Sequence, residues 1–432
     1  MTVNHGVLGS SPRRGAYFFA LFFPKSISKS YLLKKVLSLL LKIIAYLCNV
    51  KSEKITMKKI QMVDLQTQYA AIKKEVDNAI NDVIKSARFI NGPQVNEFAE
   101  NLATYLNVKH VIPCANGTDA LQIALMALDL KPSDEIICPD FTFVSSAEVI
   151  GLLKLHPVLV DVDEDYFVST LKNIESAITI KTKVIIPVHL FGQAAEMEAI
   201  MDLAKKYNLY VIEDTAQALG ADYIFSDKTR KKLGTIGNIG CTSFFPSKNL
   251  GCFGDGGALF TDDDQLFERI KMITNHGSKQ KYYHQMVGCN SRLDSLQAAV
   301  LNVKLKHLDK YIESRRKAAH YYTSELENIP NIITPKENEY SIHSYHQYTL
   351  RVLDGKRDAL KEYLASKDIP AMIYYPVPLH DQEALKTIAR THSTLEASTM
   401  LADQVLSLPM HTELTKEQQD YIIKSIKEFF EC

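Results

Sequence analysis

The chain has 432 residues, with 50 Lys or Arg against 50 Asp or Glu, so its formal net charge is zero and gives no positive field for nucleic acid. Hydrophobic residues make up 46% of the chain, enough for a globular protein of two or three domains. Its seven cysteines form no CxxC pair and no cluster with His at metal spacing, which argues against a disulfide framework and a metal site and favours a reducing cytoplasm.

The first 56 residues differ in composition from the rest of the chain. They contain no acidic residue before Glu53, and lysines interrupt the apolar run "YLLKKVLSLLLKIIAYLCNV". One interpretation is a basic amphipathic segment on a membrane surface. The other is vector sequence or sequence upstream of the true start, and it is favoured because Met57 opens the plausible start "MKKIQMVDLQTQYAAIKKEV". Residues 1–56 are therefore predicted to be an N-terminal extension outside the fold.

From about residue 68, helical patterns alternate with short apolar runs. "YAAIKKEVDNAINDVIKSA" and "VNEFAENLATYL" have the apolar spacing of amphipathic helices. Runs typical of buried strands follow, separated by helix-length segments: "HVIPC", "EIICP", "PVLVDV", "KVIIPVHL" and "LYVIED". This pattern predicts an α/β protein with a mostly parallel sheet covered by helices on both faces. Ligands in such folds bind beyond the carboxyl ends of the strands, so the residues after each run are site candidates.

Glycine and small polar residues follow the run "HVIPC". Gly117 and Thr118 lie in "ANGTDALQIALMAL", at the start of a strongly helical pattern. A helix start presents unpaired backbone N–H groups and the positive end of the helix dipole, which suit a phosphate. Such residues are also ordinary helix caps, so this signal is weak alone.

Polar residues also follow two later runs. Asp214 ends "LYVIED" and precedes Gln217 by three residues, while Ser243 ends "IGCTS" and precedes Lys248 by five. The aspartate either caps the next helix or faces a cationic ligand. The lysine, in an apolar turn bordered by glycine, either extends to solvent or serves as a neutral amine. A phosphate site, a strand-end Asp and a sequestered Lys together match the needs of pyridoxal phosphate: an anchor, a partner for the ring nitrogen and an amine.

Several motifs together resemble one family. "NGTDAL", "IEDTAQALGA", "TSFFPSKNLG", "GDGG", "GCNSRLDSLQAAVL", "YYPVPLH" and "VLSLPMH" resemble, in order and spacing, the DegT/DnrJ/StrS sugar-nucleotide aminotransferases, from about residue 60 to the C-terminus. The resemblance implies a fold type I enzyme that uses pyridoxal 5'-phosphate. The chain looks most similar to the members that aminate UDP-2-acetamido-2-deoxy-3-oxo-glucuronate, which implies amino transfer, with glutamate as the expected donor, for synthesis of cell-surface polysaccharide such as lipopolysaccharide.

The resemblance also implies roles for the cofactor-binding residues. Lys248 would bond covalently to the cofactor, Asp214 would pair with the ring nitrogen, and Gln217 would bond the ring hydroxyl side. Phe143 would stack on the ring, with Phe141, two residues earlier, as the alternative. The phosphate would be held by Gly117, Thr118 and Ser243.

Other positions imply a shared site and a substrate. Asn290 matches a residue that reaches the cofactor phosphate of the neighbouring subunit, which implies a homodimer. Arg292, Tyr374 and Tyr375 match substrate-side positions, although Arg292 could instead form a structural ion pair at the interface. Some relatives carry histidine in place of the cofactor lysine and perform dehydration, so Lys248 argues for transamination.

The predicted organisation is a large cofactor-binding domain over residues 57–300 and a smaller α/β domain over residues 301–432. The alternatives within enzymes are an aminotransferase for another dTDP- or UDP-linked keto-sugar and a sugar dehydratase that uses the same cofactor. A third alternative, from another class, is a regulatory protein that binds pyridoxal phosphate without turnover.

Overall fold

A computed structural model describes residues 34, 36–42 and 58–431. The chain divides into two units, residues 1–58 and residues 59–432. In the first unit, residues 36–42 are helical and exposed, and most of the predicted N-terminal extension lies outside the described residues. Among the described helices, none is both long enough and apolar enough to cross a membrane.

The first half of the second unit alternates strands and helices after two initial helices. Its elements in chain order are α1 (Leu65–Ser86), α2 (Pro93–Leu106), β1 (His110–Cys114), α3 (Gly117–Met126), β2 (Glu135–Pro139), α4 (Ser145–Leu152), β3 (His156–Val160), α5 (Leu171–Ala177), β4 (Thr182–Ile185), a 3-10 turn (Leu190–Gly192), α6 (Met197–Tyr207), β5 (Tyr210–Asp214), β6 (Asp222–Ile224), β7 (Arg230–Lys232), β8 (Ile239–Ser243) and β9 (Gly257–Thr261).

The second half is richer in helix. Its elements are α7 (Asp264–Ile273), β10 (Ser278–Gln280), β11 (Tyr283–His284), α8 (Ser295–Leu305), α9 (Leu308–Leu326), β12 (Ile332–Ile333), β13 (Ser341–Ile342), β14 (Tyr348–Val352), α10 (Arg357–Ser366), a 3-10 turn (Leu379–Asp381), β15 (Arg390–Thr391), α11 (Glu396–Gln404), β16 (Val405–Leu408) and α12 (Lys416–Glu431).

Local sequence explains how helix α1 forms and where it packs. The Asp64 carboxylate caps its first turn by accepting a hydrogen bond from the Thr67 backbone N–H at 2.9 Å. Ile72, Val76 and Val83 recur at helical spacing and are buried. This apolar face packs against α8, so the helix predicted from "YAAIKKEVDNAINDVIKSA" is confirmed.

Eight strands form the central sheet in the order β1-β9-β8-β5-β4-β2-β3-β15. Strand β9 runs antiparallel to both of its neighbours, and the other pairs are parallel. Ile136 and Cys138 of β2 join one core cluster, whereas Ile137 joins another, as the two-residue period of a strand requires. Both faces of the sheet are therefore buried, and the predicted α/β class with a mostly parallel sheet is confirmed.

The predicted run "KVIIPVHL" is longer than the strand that it forms. Strand β4 ends at Ile185, two residues before Pro187, because proline has no N–H to donate to the ladder. The chain nevertheless stays beside β5: the Asp214 N–H donates to the Pro187 carbonyl, and the His189 N–H donates to the Asp214 carbonyl, both at 3.0 Å. These bonds fix the backbone on both sides of Asp214.

A three-stranded antiparallel sheet, β12-β14-β16, lies in the C-terminal part of the chain. Its core brings together Leu350 of β14, Tyr322 of α9, Leu360 of α10 and Ile422 of α12. Helix α8 continues across residue 300, where the sequence analysis divides the large domain from the small one. That domain boundary stays a prediction.

Candidate active site

A cavity of about 680 Å³ opens at the carboxyl ends of β2, β5 and β8 and the start of α3. Its lining includes the following residues predicted for the site: Gly117, Thr118, Phe143, Asp214, Gln217, Ser243, Lys248, Tyr374 and Tyr375. The remaining two predicted residues, Asn290 and Arg292, do not line it. The site residues come from both the central sheet and the C-terminal part of the chain, which the sequence places far apart.

The start of helix α3 forms one end of the cavity. The Asn116 side chain caps the helix by accepting a hydrogen bond from the Asp119 N–H at 2.8 Å. Gly117 is the first helical residue, and a Cβ there would lie 2.7 Å from the Ser243 Cβ, so only glycine lets the helix start approach β8 this closely. The Thr118 hydroxyl lies near this point too. Free backbone N–H groups and hydroxyls together suit an anion such as phosphate.

Asp214 supplies a buried carboxylate at the end of β5. Its oxygens accept hydrogen bonds from the Ser146 hydroxyl at 3.0 Å and the Ala216 N–H at 3.1 Å. Burial raises the pKa of Asp214, while these hydrogen bonds and the Lys248 amine oppose that shift. A carboxylate with a raised pKa is stabilised by a cationic or N–H partner in the cavity.

A second buried pair lies behind Asp214. The Nδ1 atom of His189 accepts a hydrogen bond from the Ala195 N–H at 3.1 Å, so Nε2 carries the proton and donates to Glu213 at 3.0 Å. Glu213 also accepts from the N–H groups of Gly234, Ile236 and Gly237. Both ring nitrogens of His189 are therefore hydrogen-bonded, and this histidine does not line the cavity. The hydrogen bonds of this pair fix the side chain of Glu213, the residue directly before Asp214.

Lys248 lies in a tight turn after β8, and its amine points into the cavity. The turn is closed by a hydrogen bond from the Lys248 N–H to the Phe245 carbonyl at 2.8 Å. Burial lowers the pKa of Lys248 to about 8, although Asp214 opposes that shift. In the part of the chain that the structure describes, the amine has no hydrogen bond and no ion pair. Near pH 8 a large fraction of the amine is therefore neutral and available as a base or nucleophile.

Aromatic and amide side chains form the opposite wall. The Gln217 amide accepts a hydrogen bond from the Phe191 N–H and donates one to the Tyr375 hydroxyl, both at 2.9 Å. Phe143 is 52% exposed, and its ring lies 6.0 Å from that of Tyr375, whereas Phe141 is 0% exposed within the core. The structure therefore places Phe143, and not Phe141, at the cavity.

Arg292 lines a separate cavity of about 610 Å³, together with Asn91, Glu268 and Lys271. Asn290 is exposed and forms an isolated bridge with Asn275. One chain alone therefore does not bring these two predicted residues to the Lys248 cavity.

Other polar residues that were not predicted from the sequence also lie at the first cavity. Ser146 donates a hydrogen bond to Asp214 and lies in the stretch "DFTFVSS", which follows β2. Its position after a strand is the signal that could have identified it from the sequence. His346 and Gln347 also line the cavity, but they precede a strand and belong to no quoted motif. Asp255, in "GDGG", lies there as well.

The first cavity has the groups that pyridoxal phosphate requires. The start of α3 with Ser243 and Thr118 suits the phosphate, Asp214 suits a protonated ring nitrogen, and the Lys248 amine suits the aldehyde carbon. Among the described residues, no cluster of three or more His, Cys, Asp or Glu side chains could hold a metal ion.

Comparison with known proteins gives consistent matches. A relative named pleiotropic regulatory protein, from Geobacillus stearothermophilus, is 45% identical over 373 residues, which cover 86% of this chain and 98% of the relative. The UDP-2-acetamido-2-deoxy-3-oxo-D-glucuronate aminotransferase of Pseudomonas aeruginosa is 43% identical over 355 residues, or 82% of this chain and 96% of the enzyme. The crystal structure of NtdA from Bacillus subtilis with bound cofactor PMP has a TM-score of 0.80 and 29% identity, covering 87% of this chain and 86% of NtdA.

The sequence profile of one family spans most of the fold. It matches residues 70–427, from within α1 to within α12, and so includes every predicted site residue. The structural likeness to NtdA confirms the predicted fold type I architecture. The chain belongs to the DegT/DnrJ/EryC1/StrS aminotransferase family.

Proposed function

We propose that this protein is a pyridoxal-phosphate-dependent aminotransferase that transfers an amino group from an amino acid to a keto-sugar nucleotide. The observation that carries the proposal is the unpaired Lys248 amine, which lies in one cavity with the buried Asp214 carboxylate and the open start of α3. Family membership supports the same activity. The name of the 43% identical Pseudomonas aeruginosa relative supports UDP-2-acetamido-2-deoxy-3-oxo-glucuronate as acceptor. Glutamate as donor and a role in polysaccharide synthesis are part of the proposal and follow from the sequence resemblance.

Each side chain then has a task. Pyridoxal phosphate, when bound, supplies an electron sink for the charge left when the substrate loses its α-proton. Asp214 keeps the ring nitrogen protonated. Lys248, whose lowered pKa gives it a larger neutral fraction than an ordinary lysine has, would remove the proton and return it. Gln217 and Tyr375, bonded to each other, orient the ring hydroxyl side and the substrate. Phe143 covers the ring face.

We also infer a homodimer with shared sites. Asn290 and Arg292 lie apart from the Lys248 cavity, so they can serve a site only across an interface. Phe89 and Ile90 beside them are exposed apolar residues, and Ile90 forms a bridge with Asp294. An exposed apolar patch next to polar site residues suits a subunit contact. The free cysteines among the described residues suit a reducing compartment, which supports the cytoplasm as the proposed location.

A spectrum of the purified protein separates this function from the regulatory alternative, which the name of the Geobacillus relative raises. The protein is loaded with pyridoxal phosphate, and glutamate is added. An aminotransferase converts the absorbance of the aldehyde form into that of the amine form. A regulatory protein binds the cofactor, but its spectrum does not respond. The converted protein is then mixed with a panel of keto-sugar nucleotides, and mass spectrometry identifies the aminated product.

A further inference from the structure

Two polar side chains of the Lys248 cavity have no partner among the described residues. His346 and Gln347 are 4% and 8% exposed, and both line the cavity. The Nδ1 atom of His346 is enclosed by protein and has no hydrogen-bond partner among the described residues, whereas the Gln347 side chain lines the cavity without a hydrogen bond to a described residue. Buried polar groups are nearly always hydrogen-bonded in folded proteins. Because both side chains line the cavity, their remaining polar atoms are placed to bind a ligand there.

The charges around His346 indicate what kind of ligand this is. Arg315 of α9 is 2% exposed, and its guanidinium donates to the carbonyl oxygens of Tyr345, His346 and Met410 at 3.0 to 3.3 Å. It has no carboxylate partner among the described residues. Burial is the main cause that lowers the pKa of His346, with smaller contributions from Lys248 and Arg315, so the imidazole is neutral. Buried positive charge without a counter-ion favours an anionic ligand.

We propose that His346 and Gln347 bind a carboxylate group of a substrate, with Arg315 providing positive charge through its contact with the His346 backbone. The neutral imidazole N–H and the amide NH₂ donate to the two carboxylate oxygens. A phosphate is less suited to this end of the cavity because the start of α3, with Ser243, already offers a phosphate site. The inference rests on the proposed function only in taking the ligand to be a substrate of this cavity.

The carboxylate has two sources in the proposed reaction, the amino-acid donor and a uronic-acid sugar. Glutarate, which has the chain of glutamate without the amine, represents the first source. UDP-glucuronic acid represents the second, and UDP-glucose is its neutral counterpart. Calorimetry measures the binding of each probe to the cofactor-loaded protein, so the result does not depend on turnover.

The variants are His346→Leu, which removes both ring nitrogens, and His346→Gln, which keeps a donor. His346→Leu should weaken glutarate or UDP-glucuronic acid about tenfold or more, the cost of losing a hydrogen bond to a charged group, while His346→Gln recovers part of the affinity. The probe that weakens identifies the source. Cofactor absorbance checks that the variant still folds and loads.

Gln347→Leu serves as the second variant if His346→Leu does not fold, and it should weaken the same probe. Unchanged affinity for both acids, or an equal loss for UDP-glucose, overturns the proposal. The exposed His320, replaced by Leu, is the matched control. If wild-type protein binds glutarate through His346 but its spectrum does not respond to glutamate, the carboxylate site stands and the proposed transamination fails.

Discussion

Two cavities of similar volume differ in how many of the predicted site residues a single chain brings to them. The cavity around Lys248 collects predicted residues from Gly117 to Tyr375, although they span much of the sequence. The cavity around Arg292 contains only that one predicted residue. The residues of the first cavity are by themselves sufficient to suggest a pyridoxal phosphate site. The second cavity contains only Arg292 among the predicted residues, and the role of this arginine depends on whether a second subunit packs against it.

Sheet topology explains the difference. Strands β5 and β8 are parallel neighbours, so Asp214 and the Ser243–Lys248 turn emerge at the same edge. Arg292 follows a different course: the chain before it is bridged through Asn290 to Asn275, and the chain after it is bridged through Asp294 to Ile90. These contacts hold Arg292 at another surface. Convergent strand ends build a site within one chain, whereas residues on a separate surface need a second copy.

The largest expected effect is the loss of the Lys248 amine. Lys248→Ala should lower turnover by at least about a thousandfold, because no other described amine lines that cavity. Circular dichroism should show an unchanged fold, since the substitution removes little core volume. Lys271→Ala, in the Arg292 cavity, is the matched control and should keep its activity. If Lys248→Ala turned over as fast as wild type, the amine would not be the feature that makes the Lys248 cavity, and not the Arg292 cavity, the reaction site.

Loss of the Asp214 charge should have the next largest effect. A carboxylate about 4 Å from a protonated ring nitrogen contributes on the order of 4 kcal/mol at an effective dielectric of about 20. Asp214→Asn should therefore slow the glutamate half-reaction by up to about a thousandfold, with cofactor still bound. Stopped-flow absorbance measures the rate, and Asp202→Asn on the exposed face of α6 is the control. An unchanged rate would mean that another group protonates the ring.

The sequence identified Lys248, Asp214 and Ser243 because each follows a short apolar run, and parallel strands bring such ends together. It favoured Phe143 but left Phe141 as the alternative, because their different burial depends on tertiary packing: Phe141 lies in a core cluster with Leu401 and Val405 of the C-terminal part. It missed His346 because that histidine precedes β14 of the smaller sheet and reaches the cavity only through tertiary packing. Its partner Arg315 resembles any other cation of an amphipathic helix.

Arg292 tests whether the second cavity serves the first across an interface. If Arg292 binds a sugar carboxylate, Arg292→Lys should lower kcat/KM for a uronic-acid substrate by about ten- to a hundredfold, because an ammonium cannot make two parallel hydrogen bonds. A neutral keto-sugar should be affected much less. Equal losses for both sugars would indicate that Arg292 stabilises the interface or binds the amino donor.

Hybrid dimers make this test sharper. Chains with Lys248→Ala are mixed with chains with Arg292→Ala, each inactive alone. If the arginine acts across the interface, each hybrid has one site with both defects and one with neither, so random mixing restores up to about a quarter of wild-type activity. If Arg292 acts within its own chain, every site keeps one defect and mixing restores nothing.

The last expected effect is on stability, and it distinguishes a buried lysine from an exposed one. In the cofactor-free protein the pKa of Lys248 is lowered from 10.5 to about 8 by burial. Below pH 8 both the folded and the unfolded chain carry the proton, and the folded state bears the full cost of a buried charge. Between pH 8 and 10.5 the unfolded chain binds more protons than the folded one, so the free energy of unfolding rises with pH. Wild type should therefore gain stability relative to Lys248→Met across this window.

Urea denaturation of the cofactor-free protein from pH 7 to pH 10 measures this gain. Lys304, whose pKa is also lowered to about 8, is present in both proteins, so its contribution cancels in the difference. Lys271→Met is the control for replacing an exposed lysine by the same residue. If wild type and Lys248→Met instead keep a constant difference, the Lys248 amine has an ordinary pKa. The Lys248 cavity would then lack the neutral base that sets it apart from the Arg292 cavity.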